Sequence, residues 1–146
     1  MEITRAKINN FDEVYQLICE LQDEPVNQDE LFQVYEKNIM NPDIYYFLAS
    51  DGLQTVGFAS VHIQFLLHHA ARIAELQEII VCKSKQGMGI GQLLFIQAKE
   101  TARDIGCLQL EVCCSQIRKE SHKFYLKQGM KNSHFKFTLS LGNPAI

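Results

Sequence analysis

The chain has 146 residues, of which 47 % are hydrophobic and 21 % charged, with a formal net charge of −3. That is about one domain's worth of ordinary globular composition, which excludes a disordered, collagenous or low-complexity polymer. The slight acidity speaks against a general nucleic-acid binder, which needs a basic stripe to displace counterions from phosphates. The longest apolar stretches, such as Ile79 to Cys82 and Leu93 to Ile96, fall far short of the roughly 20 residues that span a bilayer. Met1 to Arg5 lacks the apolar core of a signal peptide. The expectation is a cytoplasmic protein with no membrane and no nucleic-acid partner. Cys19, Cys82, Cys107, Cys113 and Cys114 show no C-x-x-C spacing, so neither a disulfide framework nor a zinc ribbon is expected. Cys82, Cys113 and Cys114 lie in strand-like runs and read as small buried hydrophobes.

In chain order, Ile3 to Ala6 reads as a short strand, and Asn10 or Asp12 is placed to cap a helix carrying Val14, Leu17, Ile18 and Leu21 at helical spacing. A second helix starts after Asn27 and ends before Asn41-Pro42, because a residue before proline avoids the helical region. Ile44 to Ser50 and Thr55 to Phe65 read as a hairpin about the turn Asp51-Gly52. After a turn at His68 to Ala71, Arg72 to Cys82 reads as a strand whose apolar alternation slips near Gln77-Glu78. A change of phase inside one strand predicts a β-bulge, which re-aims side chains. A long helix, Gln92 to Ile105, follows and ends at Gly106. Then come a strand at Leu108 to Cys114, a helix from about Lys119 to Gln128, and closing β segments around Met130 to Leu141. The order predicts one domain of mixed α/β class.

The stretch Gln86-Gly87-Met88-Gly89-Ile90-Gly91 joins a buried strand to a helix. Its glycines let the backbone turn sharply, approach a ligand closely and aim amides at one point on a helix N-terminus, which suits a pyrophosphate. It is not a P-loop, since Gln92-Leu93 follows Gly91, and it does not complete a G-x-G-x-x-G fingerprint. It does match the Q/R-x-x-G-x-G/A signature of the GCN5-related N-acetyltransferases (GNAT), and Phe124-Tyr125-Leu126-Lys127-Gln128-Gly129-Met130 resembles that family's F-Y-x-x-x-G-F element. The resemblance spans nearly the whole chain. It implies the GNAT acyl-CoA N-acyltransferase fold, whose central strands splay to admit the pantetheine arm, with acetyl-CoA as donor, direct transfer to an amine, and a homodimer.

The chemistry has three requirements. An aliphatic amine, with a pKa near 10.4, arrives protonated and needs a base. Glu75 and Glu78 both lie on the bulged strand; the resemblance favours Glu75 by its distance from Gln86, with Glu78 second. The thioester oxygen needs preorganised donors, which the backbone near Ile80 and Val81 offers. The leaving thiolate benefits from a proton, for which Tyr125 is the candidate. The resemblance extends the coenzyme contacts from Gln86 to Gly91 to include Cys82, Gln92, Ser121, Lys123 and Phe124. Ser115 stands where the family often has Asn.

The run His62-Ile63-Gln64-Phe65-Leu66-Leu67-His68-His69 holds three of the five histidines beside the strand carrying Glu75. Imidazoles bind divalent metals or, when protonated, oxyanions. His62, Gln64, His69, Arg72 and His134 are therefore candidates for the acceptor pocket, and His68 with His69 for a metal. Here the sequence is similar to one branch, the aminoalkylphosphonate N-acetyltransferases, on Leu17 to Leu21, His62 to His69 with Gln77-Glu78, and Ser133 to Thr138. That resemblance implies a small amine bearing a phosphonate as substrate, and a divalent metal. The competing expectations are another acceptor, such as a polyamine, amino acid or protein terminus, and a non-catalytic acyl-CoA-binding module.

Overall fold

A computed structural model describes residues 1–142. They form strands β1 (Glu2–Arg5), β2 (Ile44–Asp51), β3 (Gln54–Leu66), β4 (Ala71–Val81) and β5 (Gln109–Val112), and helices α1 (Phe11–Gln22), α2 (Gln28–Ile39), α3 (Ile90–Ile105) and α4 (Lys119–Lys127). The mixed sheet has the order β1-β2-β3-β4-β5. Its first three junctions are antiparallel, and β5 reaches its place through the α3 crossover, the connection that parallel neighbours require. Two compact units make up the described chain: Met1–Glu111, and the residues from Val112 onward.

In the first unit, apolar spacing decides which face each helix buries. Val14, Leu17 and Ile18 of α1 join Phe11, Tyr35, Tyr46, Leu48 and Phe58 in one core cluster on one sheet face. Asn27 caps α2 by accepting from the Glu30 amide at 3.0 Å. Asn10 precedes α1, but its Oδ1 accepts from the Lys7 amide at 2.8 Å, so it ties the preceding turn instead of capping the helix. Leu94, Phe95, Ala98 and Ala102 form the buried stripe of α3, and Leu94 approaches β3 at Gly57, which alternates with Phe58 and so belongs to the opposite sheet face.

The phase slip in the sequence is a real bulge. Ser60 pairs with Glu78 but Val61 pairs with Leu76, so Gln77 is the extra residue of β4. The turn at His68-His69 is a short 3-10 turn, Leu67–His69, closed by Ala70 at φ 51°. Two expectations need correction. No strand forms over residues 130–142, because a strand needs a partner edge to satisfy its amides and residues 131–142 lie exposed. Cys113 is exposed and Cys114 only half-buried, since β5 ends at Val112 and both thiols fall outside the sheet.

Gly57 sits where α3 presses on the sheet. A Cβ there would lie 3.0 Å from Leu94 Cδ1, 3.2 Å from the Ile80 carbonyl oxygen and 3.3 Å from Ala49 Cβ. Gly57→Val is expected to destabilise the fold by about 1–3 kcal/mol through overpacking, read as a lowered thermal midpoint; an unchanged midpoint would show that α3 does not pack so closely.

Candidate functional site

The bulge decides where the strand's two glutamates point. In a regular strand residues three apart face opposite sides, whereas one extra residue between them restores the phase. Glu75 therefore stands opposite His62, and Glu78 opposite Ser60, on a single face of the sheet. Ser60 is wholly buried, at 0 % exposure. Its hydroxyl donates to Glu78 Oε2 at 3.0 Å while its Oγ accepts from the Glu78 amide at 3.1 Å. Burial pushes the Glu78 carboxyl above its ordinary value, and the Ser60 hydrogen bond opposes that rise. The result is a half-buried carboxylate held in one orientation and readier than a surface glutamate to accept a proton.

Glu78 faces a cavity of about 270 Å³ between α1, α2 and the sheet, closed on its apolar side by residues such as Val14, Ile18, Leu31 and Phe58. Its polar lining comes from Tyr35, Asn38, Tyr46, His62, Gln77 and Glu78. Asn38 Nδ2 donates to the Tyr46 hydroxyl at 2.7 Å, which leaves the phenol's own proton for another acceptor. Burial pushes the Tyr46 phenol up to about 12, so it stays neutral. Tyr35 is also raised to about 12 by burial; its hydroxyl donates to the Lys7 carbonyl at 2.7 Å and braces α2 against the chain before α1. His62 is lowered by burial, with the Glu75 carboxylate pulling the other way. A neutral imidazole in the cavity wall hydrogen-bonds but brings no charge.

At the end of β4 the glycine loop has the geometry its sequence predicts. Gly87 and Gly89 adopt φ of 78° and 82°, conformations that cost a residue with a Cβ roughly 1–2 kcal/mol. A Cβ at either would meet nothing within 4 Å, so the requirement lies in the backbone and the surface above the loop is open. Gln86 Nε2 donates back to the Val81 carbonyl at 3.0 Å and clamps the loop to the strand. Lys85 pairs with Asp51 at 2.8 Å, and the Lys83 amide donates to Glu20 at 3.1 Å. The first bond of α3 runs from the Leu93 amide to the Gly89 carbonyl at 3.2 Å, so the amides of Ile90, Gly91 and Gln92 have no intrahelical acceptor. At the opposite end of β4 from the loop, pairing with β5 begins where the Leu108 amide donates to the Arg72 carbonyl at 2.8 Å. The four residues of β5, at roughly 3.3 Å each, are too short to follow β4 past its bulge. Ile80, Val81 and Cys82 thus belong to a stretch of β4 next to the glycine loop and beyond the reach of β5.

In the second unit, Tyr125 lies half-buried on α4, and burial pushes its phenol up to about 12, with Cys114 adding to the rise and Arg118 opposing it. It is a neutral O–H at any physiological pH. Phe124 sets its ring edge-on to Tyr125 at 5.4 Å. His122 Nε2 donates to the Ser115 carbonyl at 2.7 Å, linking the start of α4 to the chain before it. Ser121 is half-buried, and Lys123 points outward to pair with Glu120 at 3.0 Å. His134 is exposed and shares a hydrogen bond of 2.7 Å with Ser133.

The structure brings together Glu78, His62 and, from outside the sequence-based candidates, Ser60, Asn38, Tyr35 and Tyr46. It does not bring His68, His69, Gln64 or Arg72 to the cavity. Arg72 lines a separate open groove with Phe65, Leu66, Leu67, Ala70 and Ala71; its guanidinium donates to the Ile105 carbonyl at 2.6 Å and covers the Phe65 ring at 5.3 Å. His68 and His69 stack at 4.3 Å at the hairpin tip. Among the described residues no three His, Cys, Asp or Glu side chains converge as a metal site. His68 and His69 therefore do not fit a divalent ion.

Against known proteins, a family model described as the acetyltransferase (GNAT) family matches residues 11–130. Across 140 residues, 96 % of this chain and 91 % of the relative, the sequence is 38 % identical to an aminoalkylphosphonate N-acetyltransferase of Salmonella typhimurium. Among solved structures, a transcriptional regulator from Bacillus halodurans superposes with a TM-score of 0.87 at 18 % identity, covering 96 % of this chain and 99 % of that one. An aminoglycoside 6'-N-acetyltransferase from Acinetobacter haemolyticus does so with a TM-score of 0.83 at 16 % identity, covering 99 % and 100 %. At such identities these neighbours speak for the fold alone.

Ser60→Ala removes the hydrogen bond that favours the charged form of Glu78, so the carboxyl should titrate still higher when followed by NMR of labelled glutamate. The linkage sign follows. A carboxyl raised on folding gives stability that is complete below its unfolded value of about 4.3 and lost as pH rises through the folded value. The Ser60→Ala penalty in denaturant unfolding should therefore be larger at neutral pH than at acid pH; equal penalties would show that the bond does not govern Glu78.

Proposed function

The chain belongs to the acetyltransferase (GNAT) family and is an N-acetyltransferase, and we propose that it moves the acetyl group of acetyl-CoA directly to the primary amine of a small aminoalkylphosphonate. The observation that carries this reading is Glu78, raised by burial, oriented by Ser60 and facing a cavity of about 270 Å³ on the strand that leads into the glycine loop. The amides of residues 86–92 take the coenzyme's pyrophosphate at the N-terminus of α3, and pantetheine amides add to the stretch of β4 around Ile80 to Cys82 as an extra strand would. Ser115, Ser121, Lys123 and Phe124 supply further coenzyme contacts.

The substrate ammonium enters the cavity and passes a proton to Glu78, directly or through one water. Its nitrogen lone pair attacks the thioester carbonyl, whose oxygen gathers charge beside the amides of β4. The C–S bond then breaks, the thiolate takes the proton of Tyr125, and the second proton lost by the attacking nitrogen passes through water to restore the phenol. Glu78 leads as base because it faces the cavity, and Glu75 acts behind it through His62. Tyr46, Asn38, His62 and Gln77 offer neutral hydrogen bonds to the acceptor's oxygens. A homodimer and a cytoplasmic setting, where acetyl-CoA and small amines meet, complete the reading; no helix among the described residues is long and apolar enough to cross a membrane.

One observation favours a second reading. The cavity lining carries Glu78 but neither Lys nor Arg, which suits a cationic amine without an anionic group, such as a polyamine. Release of CoA should be measured with aminomethylphosphonate, aminoethylphosphonate, amino acids and polyamines. Faster turnover of the phosphonates supports the first reading, and preference for polyamines the second.

Glu78→Gln should lower kcat about 10²–10⁴-fold, and in the native enzyme the acid limb of kcat/KM should lie above the ordinary glutamate range, since only the deprotonated form works. Full activity in Glu78→Gln would remove Glu78 as base. Tyr125→Phe should keep CoA affinity in calorimetry while losing most turnover, whereas Gly89→Ala should weaken CoA about tenfold, the equivalent of roughly 1.4 kcal/mol of left-handed backbone strain. Loss of CoA affinity in Tyr125→Phe, or none in Gly89→Ala, would reverse those assignments.

A further inference from the structure

The cavity that Glu78 faces is polar on one side only. Helix α2 lends it Leu31, Val34, Tyr35 and Asn38, a row at i, i+3, i+4 and i+7 along one helix face. Asn38 marks the polar end: it donates to the Tyr46 hydroxyl at 2.7 Å, and Tyr46 stands opposite Ser60, the partner of Glu78. At 1.5 Å per residue, Leu31 lies roughly 10 Å along the helix from Asn38. Against the Leu31 and Val34 end, α1 contributes Val14 and Ile18, and among the described residues the lining holds no carboxylate besides Glu78. Val34 is 38 % exposed, whereas Val14 and Phe58 are 2 % and 1 % exposed, so the apolar wall runs from the surface into the core. A recess of this kind stays poorly hydrated until apolar atoms fill it. Aminomethylphosphonate has a single carbon to offer such a wall.

We propose that the acceptor carries an alkyl or aryl substituent of several carbons, which lies along Ile18, Leu31 and Val34 while its one ammonium meets Glu78. The proposal rests on the preceding reading and narrows it, from aminoalkylphosphonates at large to those with an apolar group on the carbon that bears nitrogen. The polar groups fall where such a molecule needs them. His62 follows Ser60 on the same face of β3, and Asn38 and Tyr46 approach that face from α2 and β2. Amine and phosphonate oxygens therefore share the sheet side, and the substituent is left to α1 and α2. A second ammonium at the end of the substituent would lie on the apolar wall without a carboxylate beside it, at a large desolvation cost. Each added methylene should raise kcat/KM about fourfold until the recess is full, the equivalent of roughly 0.8 kcal/mol per buried CH₂.

Release of CoA by the native protein tests this with two series of acceptors, α-aminoalkylphosphonates from methyl to pentyl and straight primary amines from propylamine to hexylamine. Both should climb with chain length. Phosphonates turned over equally well whatever their length overturn the proposal and leave the preceding reading standing. A climb among the amines with no turnover of any phosphonate keeps the apolar wall and overturns that reading. No release with either series overturns both. Diaminopentane, with an amine at each end, should be at least about tenfold poorer than pentylamine; a diamine preferred over the monoamine overturns the proposal. Val34→Ser, at a half-exposed position of α2 that tolerates substitution, should cut the ratio of kcat/KM for the pentyl and methyl phosphonates about fourfold. A loss of folded protein cannot move that ratio. An unchanged ratio in both Val34→Ser and Ile18→Ala would overturn the assignment of the climb to this wall.

Discussion

A single inserted residue organises the first unit. Were Gln77 paired regularly instead of bulged out of the ladder, β4 would present Glu75 and Glu78 to opposite faces, and only one of them would face α1 and α2. With the bulge, Glu78 lies opposite Ser60 and Glu75 opposite His62, and the helices and sheet enclose a cavity around one oriented carboxylate. Bulges interrupt ladder pairing, and this one precedes the stretch of β4 that outruns β5. The bulge thus supplies an oriented carboxylate, and the shortness of β5 leaves one side of β4 open a few residues on.

The second constraint is conformational. Two left-handed glycines, with the Gln86 side chain bonded to the Val81 carbonyl, turn the chain from β4 into α3 so that the helix begins with unpartnered amides at the end of the same strand. α3 is seated by its contact with Gly57, where only a hydrogen fits comfortably between Leu94, Ala49 and the Ile80 carbonyl. The cradle's aim therefore depends on packing two turns or less from it. The oriented Glu78 carboxylate, the stretch of β4 beyond β5 and the glycine loop follow one another along residues 77–92, the segment on which the proposed chemistry rests.

Much of this was legible in the letters, and for identifiable reasons. The slip of apolar phase at Gln77-Glu78 announced the bulge because strand alternation is rigid, and the spacing of Gly87 and Gly89 announced the loop because few other residues tolerate that backbone. Ser60 was not legible: a lone serine among Phe58, Ala59 and Val61 looks like any small strand residue until register sets it against Glu78. Asn38 and Tyr46 were hidden likewise, since their hydrogen bond joins a helix to a strand and leaves no trace in local spacing. The histidines misled by proximity in sequence. His62 lies within β3 and His68 in the 3-10 turn beyond its end, so a cluster in the sequence becomes two sites in space. The closing β segments were visible as alternation, but alternation does not supply the partner a strand requires.

The most direct test is a crystal structure of the protein with CoA and aminoethylphosphonate bound together. The amine nitrogen should lie in the cavity between α1, α2 and the sheet, within about 2.6–3.2 Å of a Glu78 carboxylate oxygen or one water away from it. An amine seated instead in the groove formed by Phe65, Leu67 and Arg72, with Glu78 untouched, would contradict the role given to the bulge.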